Sequence, residues 1–267
     1  MEWSDITRKA GKTGVSPVLV LKEEMQKATL ASLSRMNAFN HIVFQGGTAI
    51  RIFYNSPRFS EDLDFVLNGD TAFDLASRAE ELERYISSEF HYLQEIRVRV
   101  QKNTGDIQRI AVRSISDIPS QRLSINVELF SVPSHLNSPK ILAYPPINPV
   151  VRVEASEEIL VDKIIAIALR EYLKGRDIWD LYYLTNQLNV STDRELLAKK
   201  AGDYGAEGLR EKIGESREKL MKNGVEALDR EMKRFLPVTA YAQLKDSFED
   251  IVISVSEQLA RCAEEMI

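Results

Sequence analysis

The sequence predicts an α+β fold in which a strand-rich first half precedes a helical second half. Short apolar runs with alternating polarity recur between residues 41 and 130, which is typical of strands. Residues 131–149 hold several prolines without periodicity, as linkers do. From Ser156 onward, apolar residues recur three or four positions apart, which indicates amphipathic helices. We therefore expect a mixed sheet flanked by helices over residues 1–145 and a helical domain over residues 146–267.

The composition indicates a globular protein and gives no overall sign of nucleic-acid binding. The 267 residues are 44% hydrophobic, which is ordinary for a globular protein with a sizeable core. The formal charge is −5, from 35 basic and 40 acidic residues, so no global signature of nucleic-acid binding is present. An acidic protein can still carry a local basic groove, so this charge does not exclude a tRNA substrate.

Cysteine, histidine and hydropathy exclude further classes. The single cysteine, Cys262, rules out an internal disulfide framework and a cysteine-based zinc site. The three scattered histidines argue against a histidine metal cluster. Neither a signal peptide nor a membrane-spanning run is recognisable, so we expect a cytoplasmic protein without a membrane partner.

A strand, a glycine pair and a helix follow one another near residue 45. Ser16 and Pro17 predict the start of a long helix that would pack behind this turn. The apolar run His41–Phe44 is long enough for a short strand, and Thr48–Tyr54 has a helical pattern. Between them, Gly46-Gly47 allows the backbone to approach a ligand and leaves N–H groups pointing outward. A helix N-terminus at this turn favours phosphate.

A pair of carboxylates follows on the next predicted strand. Asp62 and Asp64 are two residues apart, so on a strand they project to one side at about 7 Å along the chain. Like charges this close repel each other unless a cation lies between them. A phosphate cradle with paired carboxylates is what magnesium-dependent phosphoryl transfer requires.

These two motifs carry a family resemblance. Gly46-Gly47-Thr48, a spacer of about a dozen residues and Asp62-Leu63-Asp64 resemble the signature of the DNA polymerase β-like nucleotidyltransferase superfamily. With Arg58 and Ser60 just before the carboxylates, the stretch is similar to the AbiEii-type nucleotidyltransferases, toxins of toxin–antitoxin systems that include the MenT-like enzymes. The resemblance implies a nucleotidyltransferase palm over residues 1–145, an NTP substrate and a two-metal Mg²⁺ site.

Glu128 is the candidate for a third carboxylate. After a predicted helix over residues 73–90, three strands are predicted over 93–101, 107–114 and 122–130. Glu128 lies in the last of them, on the face opposite Ile125, Val127 and Leu129. The resemblance implies a metal ligand here, and a solvated glutamate on the outer face of the sheet is the alternative.

The helical half repeats the resemblance. A helix is predicted from Ser156 to about Leu173, ending at Gly175. Lys163 within it, and the Arg176-Asp177 stretch leading to Asp180, resemble the second half of the AbiEii-type pattern. Lys163 could reach triphosphate oxygens.

Two roles stay open for Asp177 and Asp180, which are three residues apart and share one helical face. They could hold Lys163 or Arg170 in position, or accept hydrogen bonds from a nucleobase or ribose. The alternative is a surface ion-pair network, which contributes little to stability.

The resemblance implies Mg²⁺-dependent transfer of a nucleotide from an NTP to an RNA hydroxyl, such as the tRNA 3′ end. The enzyme would be a toxin with a cognate antitoxin, and its helical domain would close the active-site cleft. A small-molecule nucleotidyltransferase of the aminoglycoside or lincosamide-modifying kind and a non-catalytic nucleotide- or partner-binding module are the alternatives. The candidate catalytic residues are Asp62, Asp64, Glu128 and Lys163, of which the three carboxylates would bind the metal. The candidate nucleotide-binding residues are Gly46, Gly47, Thr48, Arg58, Ser60, Lys163, Asp177 and Asp180.

Overall fold

The computed structural model describes residues 2–69 and 71–266 and divides the chain into two compact units. The first, here called the sheet unit, comprises Met1–Asn55 and Phe59–Glu154. The second, here called the helical unit, comprises Ser56–Arg58 and Ala155–Ile267. The chain therefore enters the helical unit for three residues between the glycine turn and the carboxylate strand, and then returns to the sheet unit.

The sheet unit is built on a mixed sheet, which in the described residues has seven strands in the order β3-β4-β5-β2-β1-β7-β6. The strands are β1 (Ile42–Gln45), β2 (Leu63–Asn68), β3 (Glu95–Asn103), β4 (Ile107–Ile115), β5 (Leu123–Ser134), β6 (Asn137–Ile141) and β7 (Val150–Glu154). Strand β2 runs parallel to β5, and β1 runs parallel to β7, whereas the other neighbours are antiparallel.

The helices of the sheet unit pack against this sheet or against each other. They are α1 (Trp3–Thr13), α2 (Pro17–Arg35), α3 (Gly46–Phe53) and α4 (Ala79–Glu89). Ser16 caps α2 and Pro17 opens it, as predicted. Helix α4 packs on β3 and α2 packs on β5, and buried residues such as Ile96 and Val127 provide the strand side of the core. Arg51 of α3 donates to Glu23 of α2 at 2.6 Å, so α2 packs behind the glycine turn as expected.

The helical unit contains the rest of the chain. Its helices are α5 (Ser156–Leu169), α6 (Gly175–Tyr182), α7 (Arg194–Asp203), α8 (Leu209–Phe235), α9 (Val238–Leu244) and α10 (Phe248–Glu265). The long helix α8 packs against α5, α6 and α10, so it forms the centre of this unit. Across residues 2–69 and 71–266, no helix is long and apolar enough to cross a bilayer.

The expected linker over residues 131–149 is wrong. Strand β5 continues to Ser134, and β6 follows and pairs with β7 as an antiparallel hairpin at the edge of the sheet. The prolines misled the prediction because an edge strand tolerates them: Pro139 lies within β6, which has a ladder on one side alone.

Two predicted helices also have different ends. Helix α5 ends at Leu169, and Gly175 begins α6 rather than ending α5. A Cβ on Gly175 would lie 2.2 Å from the carbonyl oxygen of Ala227 in α8, so glycine is needed here for helix packing and not as a C-cap. The helix predicted over residues 73–90 begins as one turn of 3₁₀ helix at Ala76 and becomes α-helical at Ala79.

Candidate active site

The glycine turn lies against the second carboxylate of the pair. Gly46 begins α3 directly after β1 and has a φ of +78°, which residues with a side chain rarely adopt. A Cβ on Gly46 would lie 2.9 Å from Oδ2 of Asp64. Glycine therefore meets two needs here, the left-handed backbone and the room for a carboxylate beside the first N–H groups of α3.

Thr48 ties α3 to the strand that carries the carboxylates. Its side chain is fully buried, and its hydroxyl donates to the carbonyl oxygen of Asp62. The hydroxyl of Thr48 is therefore used within the protein, which leaves its main chain as the part that could contact a phosphate. Ser60 is tied similarly, because its carbonyl oxygen accepts from Nε2 of Gln26 in α2 at 3.2 Å.

Two of the three candidate carboxylates lie on one face of the sheet, and the third lies just before strand β2. Asp64 of β2 is directly opposite Glu128 of the parallel strand β5, so their side chains project to the same side. Asp62 comes just before β2, and its Oδ1 accepts from the backbone N–H of Asn126 in β5 at 3.0 Å. Oε1 of Glu128 lies 2.8 Å from Nε of Arg109, its partner on β4.

The donor chemistry of these carboxylates fits Mg²⁺, although they are not gathered around one point. All three supply oxygen, which Mg²⁺ prefers, and Gly46 keeps room beside Asp64. Within residues 2–69 and 71–266, however, no three Asp, Glu, His or Cys side chains form a group that could hold a metal ion. Asp62 is turned toward a backbone N–H and Glu128 toward Arg109, which accounts for the separation.

The helical unit gathers four other predicted site residues into one ion cluster. Arg58 binds Asp180 with two nitrogens, Nη2 at 2.8 Å and Nε at 3.0 Å from Oδ1. Nζ of Lys163 lies 2.8 Å from Oδ2 of Asp180 and 2.9 Å from Oδ1 of Asp177. Arg170 also pairs with Asp177. Nε1 of Trp179 donates to Oγ of Ser56 at 3.2 Å, which adds a second contact between α6 and the segment Ser56–Arg58.

Burial and charge act in opposite directions on this cluster. Burial opposes ionisation of Asp180, but Arg58 and Lys163 outweigh it and hold the pKa of Asp180 below its usual value. Burial lowers the pKa of Lys163, Asp180 counteracts this, and Arg58 adds to the lowering. Asp180 is therefore ionised at neutral pH. A further negative charge near Lys163 would stabilise its protonated form.

Exposure separates the members of the cluster. Only 2% of the side chain of Arg58 is exposed, and none of that of Asp180 is. Their charges therefore neutralise each other inside the protein. The side chain of Lys163 is 13% exposed and that of Arg170 is 38% exposed. Arg58 is predicted to contact the nucleotide, and in the structure its guanidinium pairs with Asp180. Arg109 is not among the residues that the sequence predicts for the site. Its position opposite Glu128 follows from the pairing register of β4 and β5, which cannot be predicted from the sequence of one strand.

The comparisons with known proteins identify the family and the fold of the chain. A family model described as the nucleotidyl transferase AbiEii toxin of type IV toxin–antitoxin systems matches residues 28–254. The chain belongs to the AbiEii toxin family. Its members are nucleotidyltransferases, so this AbiEii protein is an enzyme of that class, and its mixed sheet with a C-terminal helical region is the expected fold.

Solved structures share the fold of this AbiEii protein. JHP933 from Helicobacter pylori matches with a TM-score of 0.54 and 18% sequence identity over 94% of each chain. A second H. pylori protein, described as a nucleotidyltransferase, matches with a TM-score of 0.50 and 16% identity over 92% of this chain and 95% of that one. At such identities the likeness shows the fold alone. A comparison with curated proteins gives no match.

Proposed function

We propose that this AbiEii protein transfers a nucleotide from an NTP to a hydroxyl of an RNA, such as the tRNA 3′ end, as the toxin of a toxin–antitoxin pair. The observation that carries the proposal is the in-register placement of Asp64 and Glu128 on neighbouring parallel strands, with Gly46 against Asp64. The N–H groups that would bind phosphate and the oxygens that would bind metal therefore belong to one unit in this proposal. A cognate antitoxin is part of the proposal because the family consists of type IV toxins.

The residues of the sheet unit divide the work. The N–H groups at the start of α3, from Gly46 to Thr48, would bind phosphate oxygens, as helix N-termini do. Asp62, Asp64 and Glu128 would hold two Mg²⁺ ions, which neutralise triphosphate charge and acidify the acceptor hydroxyl. Arg109 pairs with Glu128 and so limits repulsion between Glu128 and Asp64.

The ion cluster of the helical unit supplies the remaining candidates. Lys163 is the proposed phosphate-binding cation, because 13% of its side chain is exposed, against 2% for Arg58. Burial lowers the pKa of Lys163, and a nearby phosphate would counteract that lowering. Asp177 and Asp180 position Lys163, and Arg58 positions Asp180. A Lys163→Ala change should lower transfer about tenfold or more, whereas Lys174→Ala, outside these ion pairs, should leave it near the parental rate.

The proposal is tested by incubating the protein with Mg²⁺, total tRNA and each of the four labelled NTPs in turn. We expect label in RNA with at least one NTP, dependent on added Mg²⁺. Label recovered on an aminoglycoside or lincosamide but not on RNA would replace RNA with a small-molecule acceptor. No label on any acceptor, from a protein that is folded by circular dichroism, would contradict the proposal.

A further inference from the structure

The sheet face that bears the carboxylates continues into a row of paired positions across the strands. Asp64 is opposite Glu128, Glu128 is opposite Arg109 on β4, and Arg109 is opposite Lys102 on β3. Paired residues on neighbouring strands project to the same face. At about 4.8 Å per strand, this row spans about 14 Å from Asp64 to the edge strand.

Two further rows place more cations on the same face. Asn126 on β5 is opposite Ala111, which is opposite Arg99, and Ser124 is opposite Arg113, which is opposite Arg97. The surface formed by the five cations is here called the basic face. It consists of Arg97, Arg99, Lys102, Arg109 and Arg113. The helices α2 and α4 pack against the opposite, apolar face, where Ile96, Val112 and Ile125 are buried.

Three of these cations have no partner for their charge. Arg97 pairs with Glu95, and Arg109 pairs with Glu128. The side chains of Arg99, Lys102 and Arg113 form no hydrogen bond or ion pair with any other residue that the structure describes, and all three residues are exposed. A chain with a formal charge of −5 thus leaves three neighbouring cations unsatisfied on one face.

Part of the arrangement is unfavourable for the protein alone, because Glu95 balances Arg97 whereas Arg113 has no such partner among the described residues. Arg97 and Arg113 are directly opposite each other on antiparallel strands, and like charges in such a pair destabilise a sheet. An anion bound across the face would remove this cost. Arg97 and Arg99 are about 7 Å apart along their strand, which is comparable with the separation of successive phosphates in a nucleic acid.

We propose that the basic face binds the phosphate backbone of the acceptor RNA, a few nucleotides from the end that reacts at the carboxylates. The inference rests on the proposed function, because the acceptor hydroxyl must lie near Asp64 and Glu128. RNA is favoured over an acidic protein because a nucleic-acid strand presents one charge per nucleotide along a line. An open depression of about 470 Å³ at the end of β4, lined by Arg113 and Arg122 and also by Asp117, gives the strand room beyond the last row.

The test measures binding of labelled total tRNA by fluorescence anisotropy in EDTA, where no transfer occurs, between about 50 and 200 mM salt. The test variant combines Arg99→Glu with Arg113→Glu. The matched control combines Arg84→Glu on α4 with Lys12→Glu on α1, both exposed cations off the basic face. A rescue variant combines Arg99→Lys with Arg113→Lys.

We expect the test variant to bind tRNA at least about tenfold more weakly at the lower salt, because two phosphate contacts are lost. Its slope of log Kd against log salt should be smaller by roughly 1.5, at about 0.7 to 0.9 per contact. The control and the rescue variant should stay within about threefold of the parent. The melting temperature of the test variant should not fall, because Arg113→Glu replaces a like-charge pair by an opposite-charge pair.

The inference would be overturned by parental affinity in the test variant, by equal weakening in the control, or by the absence of tRNA binding in the parent. Loss of binding to a protein partner with unchanged tRNA binding would also overturn it and assign the face to that partner. The proposed function fails separately. If the parent binds tRNA through this face but transfers no label from any NTP, binding is upheld and the transfer reaction is contradicted.

Discussion

The two charged regions of this protein are organised in opposite ways. In the helical unit, Arg58 and Asp180 are buried and neutralise each other, with Lys163 and Asp177 completing the cluster. In the sheet unit, charges of the same sign are neighbours: Asp64 is opposite Glu128, and Arg97 is opposite Arg113. The first arrangement balances its charges within the chain. The second is balanced only in part, by Arg109 for Glu128 and by Glu95 for Arg97, and an oppositely charged ligand would stabilise it further.

This difference suggests a structural role for Arg58 and a ligand-binding role for Asp64, although both belong to the same short sequence motif. Arg58 and Asp64 are six positions apart, yet Arg58 belongs to the helical unit and Asp64 to the sheet unit. Substitutions in the helical cluster should therefore lower stability first. Substitutions on the sheet face should lower activity while stability is kept.

The largest effect on stability is expected from Arg58→Ala. The change leaves Asp180 buried with half of its partners removed, and breaking a buried pair in this way costs about 3–5 kcal/mol. Urea unfolding measures the free energy. The control is Arg230→Ala in α8, which removes an exposed pair with Glu226 and should cost no more than about 0.5 kcal/mol. Equal costs for the two changes would contradict the contrast between the regions.

A smaller loss is expected from Gly46→Ala. The new Cβ would meet Asp64 Oδ2 at 2.9 Å in a backbone conformation that already disfavours side chains, so we expect a cost of about 1–3 kcal/mol. Gly69→Ala is the matched control, because Gly69 also has a positive φ but has open space around it. If thermal unfolding shows the same loss of stability for both variants, the close approach of Gly46 to Asp64 does not contribute to the cost of the Gly46 substitution.

Asp180 should make stability sensitive to acid. Its pKa is lowered in the folded state, so the unfolded chain takes up the proton first as the pH falls below the usual value of 3.8. Stability from this group is therefore complete above that pH and is lost below it, at up to about 1.4 kcal/mol per pH unit. The stability difference between the parent and Asp180→Asn should shrink between about pH 5 and pH 3. A difference that stays constant over that range would contradict the assignment.

The sequence predicted the secondary structure around the candidate site best where the signals were local. The order of β1, glycine turn, α3 and β2 follows from neighbouring residues: an apolar run, a glycine pair and alternation around Asp64. The start of α2 was likewise readable from Ser16 and Pro17. Such features depend on backbone preferences within a few residues, and the structure confirms them.

Contacts between distant parts of the chain could not be predicted in the same way. Arg58 and Asp180 are 122 positions apart, and either residue alone suggests a ligand contact as readily as a structural pair. The basic face depends on the register of three strands, which sets Arg97 opposite Arg113. The β6–β7 hairpin was missed because an edge strand with Pro139 has the composition of a linker.

The most direct test of the contrast is Asp64→Asn, for which the smallest change in stability and a large change in activity are expected. The substitution removes a negative charge opposite Glu128 and keeps the size of the side chain, so the free energy of unfolding should stay within about 0.5 kcal/mol of the parent. Mg²⁺-dependent transfer of label to tRNA should fall about a hundredfold or more, because a proposed metal ligand is lost. A variant that is as stable as the parent and transfers at the parental rate would contradict the assignment of the sheet face as the site of catalysis.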